Sequence, residues 1–168
     1  TGKPIWESRM AYPQDLYTLT MDPRIAGDKV IIGASGGDKP TRGYFAAFDA
    51  KTGHQAWKFY TVPGNPELPP ENDAMKAALK TWGGDFWTKG GGGAVWDGFA
   101  YDPDANLLYW GTGNPNPDWD GESRPGANLY TDSLLALNPD TGALKWHFQF
   151  TPHDTHDWDA NEVPVLAD

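Results

Sequence analysis

Asp157 and Asp159 stand two apart in the acidic segment Thr151-Pro152-His153-Asp154-Thr155-His156-Asp157-Trp158-Asp159. In extended chain that spacing points both carboxylates the same way. Two carboxylates on one rim repel unless a cation neutralises them or one takes up a proton, so the pair could supply metal ligands and a general base together. A solvated acidic turn is the plainer reading of the same residues, and the pair alone leaves both open. Upstream, Thr112-Gly113-Asn114-Pro115 holds a side-chain amide in a stiff loop, and Ser35-Gly36-Gly37-Asp38 holds a further carboxylate. Asp38 and Asn114 are hard oxygen donors of the kind that suit Ca²⁺. His153 and His156 match no common zinc spacing and read as structural hydrogen-bonding residues. Trp96 follows directly on the run Gly90 to Gly93, where backbone or a flat ligand can approach closely. Its indole suits either stacking on a planar ring or filling the core.

The elements that must carry these residues are short strands and turns. Val95 to Tyr101 and Leu107 to Gly111 read as a hairpin around Asp102 to Asn106, with Asn106 able to adopt left-handed backbone. Arg24 to Ser35 reads as another, turning at Gly27-Asp28. The motif Thr-Gly-x-x-x-Trp occurs at 1–6, 52–57 and 141–146. Its last two copies follow the strand-like runs Tyr44 to Asp49 and Ser133 to Asn138, which predicts hairpins with Gly at the turn and Trp on the return strand. The same unit therefore appears twice, over about 17–60 and 94–150, with a start of a further one at 151–168. Radial repetition of four-stranded sheets, as in a propeller, accounts for this better than a solenoid or sandwich. It would bring the loops at Ser35 and Asn114 together on one face near the axis. The second unit has the longer inter-hairpin loop, and its extra residues fit between Asp118 and Asn128. An insertion at 62–89 separates the units and holds one short helix, predicted over Glu71 to Lys80.

Composition narrows the function classes. Formal net charge is −10, and none of the 13 Lys and Arg form a basic face, which argues against nucleic acid as a partner. No apolar run approaches the ~20 residues of a membrane-spanning helix. Without cysteine there is no disulfide framework and no thiolate chemistry. Because Thr1-Gly2 opens inside a motif that recurs intact later, the chain reads as an internal piece of a longer protein.

Together the Thr-Gly-x-x-x-Trp repeats, Gly36 to Gly43 with Arg42, Lys80-Thr81-Trp82-Gly83-Gly84, the stretch GGGGAVWDGFAYDP and the run GTGNP resemble the quinoprotein alcohol dehydrogenases. These are the methanol and ethanol dehydrogenases that use pyrroloquinoline quinone (PQQ), and the resemblance covers almost the whole chain. It implies an all-β fold, part of an eight-bladed β-propeller, with about two full blades and parts of their neighbours here. The resemblance makes Trp96 the floor for the PQQ ring, Thr20 a partner of a PQQ carboxylate, and Ser35, Gly36 and Gly37 the cover on the other side. It makes Asp38, Asn114, Asp157 and Asp159 ligands of Ca²⁺ or a lanthanide ion, with Asp157 also the base. Asp38 stands where members usually carry Glu, Ala94 where a Thr is common, and His156 where a Trp often precedes the base. The implied activity is oxidation of primary alcohols, diols or sugars to aldehydes, with cytochrome c or a quinone as acceptor, in the periplasm. The remaining blades of the same propeller would be its structural partners, and the segment alone would be inactive. Two rivals are a non-catalytic scaffold propeller and a carbohydrate-binding module using Trp82, Trp87 and Trp119 as exposed platforms.

Overall fold

The computed structural model describes residues 2–167. Two four-stranded antiparallel sheets account for the strands, each in simple meander order. The first holds β1 (Arg24–Ala26), β2 (Lys29–Gly33), β3 (Tyr44–Asp49) and β4 (Gln55–Tyr60). The second holds β5 (Phe99–Asp102), β6 (Leu107–Gly111), β7 (Ser133–Leu137) and β8 (Leu144–Gln149). Helix α1 (Asp73–Ala78) lies between them.

The two sheets repeat one another in detail. Each third-to-fourth strand pair shifts register at one point, between Ala47 and Phe48 and between Ala136 and Leu137. Each turn that follows is built on one side-chain oxygen. Asp49 Oδ1 accepts from the amides of Lys51 and Thr52 and from the Thr52 hydroxyl, and Asn138 Oδ1 accepts from Asp140, Thr141 and the Thr141 hydroxyl. Gly53 and Gly142 then take positive φ, 72° and 70°, which a side chain would resist.

The repeated tryptophans join neighbouring units. Trp57 Nε1 donates to Pro139 O at 2.8 Å, and its ring lies where a Cβ on Gly142 would be, 2.7 Å away. Trp6 does the same one unit earlier, donating to Ala50 O at 3.0 Å and lying 2.6 Å from a Cβ on Gly53. Glycine is therefore required twice over in these turns, for its φ and for the indole above it. Behind this joint the sheets share one core, in which Phe45 stacks on Trp110 with ring centres 4.6 Å apart. Met75 and Ala78 of α1 close one side of that core.

Three expectations need adjustment. The helix is shorter than Glu71 to Lys80: Asn72 Oδ1 caps it by accepting from Met75 N, and it tightens into a 3₁₀ turn at Leu79–Thr81. Glu71 stays outside because its carboxylate grips the Arg42 guanidinium with two hydrogen bonds. The strand expected from Val95 begins only at Phe99, since Val95 N bonds to Ala34 O of the other sheet's rim instead of to β6. Trp82 is not an exposed platform. It is buried with Val62 and Phe86, its Nε1 donating to Leu129 O.

Gly90 to Gly93 turn out to receive backbone. All four have positive φ, between 68° and 84°. Gly92 N donates to Thr41 O and Gly92 O accepts from Gly43 N, while Gly93 N donates to Asn114 O and Gly91 O accepts from Asn116 N. A Cβ on Gly90 would sit 2.3 Å from Thr41 O, and one on Gly92 2.5 Å from Asn114 O. The run is thus a crosspiece tying the Asp38–Gly43 loop to the Asn114–Asn116 loop.

Candidate active site

The loops after β2 and β6 open on the same side of the molecule, held in register by that glycine crosspiece. Between them is a cavity of about 410 Å³. Ser35, Gly36, Gly37 and Asp38 line it from the first sheet, with Thr20 beside them. Trp96 and Asn114 line it from the second, and Asp157 and Asp159 reach it from the segment after β8. All nine residues singled out in the sequence therefore face one space.

Trp96 is half-buried, so the core-filling alternative does not describe it. Its ring rests on Gly113, where a Cβ would stand 2.3 Å from Cζ3. Its carbonyl accepts the Thr20 hydroxyl at 3.4 Å, and that hydroxyl also bonds the buried Ser35 Oγ at 2.7 Å. Ala94 approaches from the same side, 3.3 Å from a Cβ built on Gly37. Gly36 and Gly37 thus line the same cavity as the Trp96 indole.

The acidic segment is a turn and not the extended chain expected from its spacing. The Asp154 carboxylate, buried at 1% exposure, accepts from His156 N and Trp158 N and so curls the backbone around itself. His153, Asp157 and Asp159 take left-handed φ values of 54°, 60° and 52°. Asp157 and Asp159 nevertheless face the same cavity, and Asp159 N donates to Asn114 Oδ1 at 3.0 Å. His153 Nδ1 lies 2.9 Å from Gly126 O, a structural contact as expected.

Reading the sequence missed several residues. Asp118 also lines the cavity. Burial, then the charges of Asp157 and Asp38, push its carboxyl up to about 6. Asp157 and Asp159 are likewise raised, by burial first and then by neighbouring carboxylates. Asn116 Nδ2 donates to Gly37 O at 2.8 Å, a second tie between the two rims. The buried Asn161 amide, oriented to satisfy both its ends, accepts from Trp96 N at 2.9 Å and donates to Gly111 O. The length of the Asp118–Asn128 loop was the one available signal for Asp118. No pattern marks which side chain of such a loop turns inward.

The donor set fits a hard cation: carboxylates at 38, 118, 157 and 159 with an amide at 114, mutually repelling and, among the described residues, paired with no Lys or Arg. No three His, Cys, Asp or Glu side chains among the described residues are gathered tightly enough to enclose an ion by themselves. The half-buried Trp96 gives the cavity an indole face on which a flat ring system could stack.

A family profile described as "PQQ: Glucose/ethanol/alcohol dehydrogenase, beta-propeller domain" matches residues 5–168. The chain belongs to this PQQ β-propeller family. Among its relatives, the quinohemoprotein alcohol dehydrogenase ADH IIB of Pseudomonas putida is 50% identical over 100% of this chain, which spans 25% of that protein. The crystal structure of the quinohemoprotein alcohol dehydrogenase of Comamonas testosteroni superposes with a TM-score of 0.88 at 44% identity, covering 90% of this chain and 23% of that one. A europium-containing methanol dehydrogenase superposes with a TM-score of 0.82 at 34% identity, over 96% of this chain and 29% of that one. The chain thus spans about a quarter of the length of these PQQ-family relatives. No described helix is long and apolar enough to cross a membrane.

Proposed function

We propose that the protein to which this segment belongs oxidises alcohols to aldehydes with PQQ and a Ca²⁺ or lanthanide ion, and that the cavity described here is part of its active site. One observation carries the reading: oxygen donors from three separate segments meet beside a half-buried indole resting on a glycine. When bound, PQQ supplies the hydride acceptor and the ion supplies Lewis acidity. Trp96 is the platform for the ring, and the Ser35–Gly37 backbone covers its other face. Thr20 and Ser35 offer hydroxyls toward a cofactor carboxylate. Asp38, Asn114, Asp157 and Asp159 hold the ion, and Asp157 takes the hydroxyl proton of the alcohol. Asp157 is suited to this because burial first, and then the charges of Asp38 and Asp154, raise its affinity for a proton. Cytochrome c or a quinone is the acceptor class assigned to the whole protein, and the periplasm its compartment. The sequence units at 17–60 and 94–150 correspond on this reading to two complete blades.

A scaffold propeller would need the tryptophan joints but not the acidic rim. A glycan-binding module loses Trp82 as a platform, since that side chain is buried. The direct test is dye-linked oxidation by the full-length protein, reconstituted with PQQ and either Ca²⁺ or La³⁺, across primary alcohols, diols and aldoses. Turnover that needs both cofactor and ion is expected. No turnover with either ion on any of these substrates would overturn the proposal.

A further inference from the structure

Arg124 lies outside the cavity lining, yet its side chain is fully buried at 0% exposure. None of the ion pairs among the described residues includes it. Its guanidinium instead bonds neutral oxygens from several segments. Nε donates to Pro117 O at 2.8 Å and Nη2 to Asp118 O at 2.8 Å, in the loop that carries Asn114. Nη2 also donates to Asp154 O, in the turn that carries Asp157 and Asp159. Nη1 donates to Asn128 Oδ1 at 2.9 Å, and Asn128 Nδ2 returns a bond to Arg124 O at 2.9 Å, which fixes the fork in plane.

We infer that Arg124 is a positioning residue for the cavity, its guanidinium holding the Asn114–Asp118 loop against the Asp154–Asp159 turn. This rests on the reading of the cavity as the ion- and cofactor-holding site. Besides the Asp159 N–Asn114 Oδ1 bond, the rest of the 117–128 loop also meets the chain leading into the acidic turn. A Cβ on Gly121 would lie 2.7 Å from both His153 Nε2 and Thr155 Cγ2, so the turn is seated directly on the loop's backbone. His153 N donates to Ala127 O at 3.1 Å and Gln149 Nε2 to the same carbonyl at 2.8 Å. The extra length of the second unit's loop thus has a use: it builds the seat on which the acidic turn rides. Arginine is needed because a planar fork can reach four oxygens in fixed directions while adding positive charge among Asp118, Asp132 and Asp154. Lysine keeps the charge but has a single nitrogen, which cannot span those carbonyls.

Hydrogen–deuterium exchange on the full-length protein without cofactor tests this independently of activity. In Arg124→Lys, amides of 114–120 and 151–160 should exchange about tenfold faster or more, while β6 and β7 keep wild-type protection. After reconstitution the variant's alcohol oxidation should fall in parallel, and added guanidinium should partly restore it in Arg124→Ala. Unchanged exchange in both segments, or equal acceleration throughout β6 and β7, would overturn the inference. If the Arg124 variants do not fold, Gly121→Ala separates the same two segments from the other side. It should give the same local loosening, and wild-type exchange in that variant would equally overturn the inference. Local loosening in a protein whose wild type oxidises no alcohol would leave Arg124's role standing and remove the functional reading. Robust wild-type oxidation without local loosening would do the reverse.

Discussion

The two sheets share turn chemistry, register shift and tryptophan joint, yet their rims differ. After β2 the chain returns through a short loop that brings Ser35 to Asp38 to the cavity and leaves Asp38 exposed. After β6 it runs through Asn114 and the long 117–128 loop, which buries Arg124, Asn128 and the turn at Asp154. The repeated parts are those whose task is the same in every unit: bending a hairpin and receiving an indole. The parts that differ are the loops, where backbone is free of ladder hydrogen bonds and can be lengthened without disturbing the sheets.

This contrast can be broken at graded points. The largest loss is expected from Asp157→Asn in the reconstituted full-length protein, which keeps an oxygen donor but removes the carboxylate proposed as base. Turnover should fall about 10²–10⁴-fold with folding intact, and near-wild-type kcat would remove Asp157 as base. Trp57→Ala breaks the joint between the sheets. It should destabilise by about 3–5 kcal/mol, read as a lowered unfolding midpoint, since a nearly buried indole and its bond to Pro139 O are both lost.

Gly113→Ala sharpens the comparison of the two rims, because its methyl would collide with the Trp96 ring at 2.3 Å. Cofactor affinity measured by fluorescence titration should drop by about tenfold. Gly37→Ala, which meets only Ala94 Cβ at 3.3 Å, should lose less. Equal losses would mean that the indole is not the more sensitive wall.

The effect graded with pH concerns Asp132, a fully buried carboxyl at the start of β7 with no hydrogen-bond partner for either oxygen. Burial first, and then the charge of Asp154, push it up to about 8, with Asp159 adding to the shift. The Ala160 amide and then the Arg124 charge oppose it. The folded protein therefore keeps this proton while the unfolded chain releases it near a pH of about 4. That contribution to stability is full at low pH and drains away as pH rises from about 4 to about 8. Asp132→Asn should remove this dependence, gaining roughly 1 kcal/mol over wild type for each pH unit between pH 5 and pH 8 in denaturant unfolding. A constant difference across that range would show that Asp132 is charged when buried.

Much of this was readable from residues alone. The Thr-Gly-x-x-x-Trp repeat marked the turns because a hairpin turn is local: an Asp or Asn oxygen and a positive-φ glycine act within a few residues, whereas Trp57 makes its joint with Pro139, 82 residues on. The same holds for Asn114 and Asp38, whose loops follow strands at equivalent places. The extended geometry assumed for Asp157 and Asp159 failed because Asp154, by accepting two amides, winds the chain into a turn. The role of Gly90 to Gly93 was half visible. Glycine allowed close approach, but whether backbone or ligand approached depended on loops some fifty residues before and twenty after.

The order of types along the chain therefore determined the repeating sheets, the family and which loops carry oxygen-bearing side chains, since each depends on short-range conformation and side-chain chemistry. Tertiary structure alone decided that those residues share one cavity, that Asp118 joins them and that Arg124 clamps two of their carriers. Such facts depend on long-range contact between loops, and a loop's direction is set by what it packs against, not by its own residues.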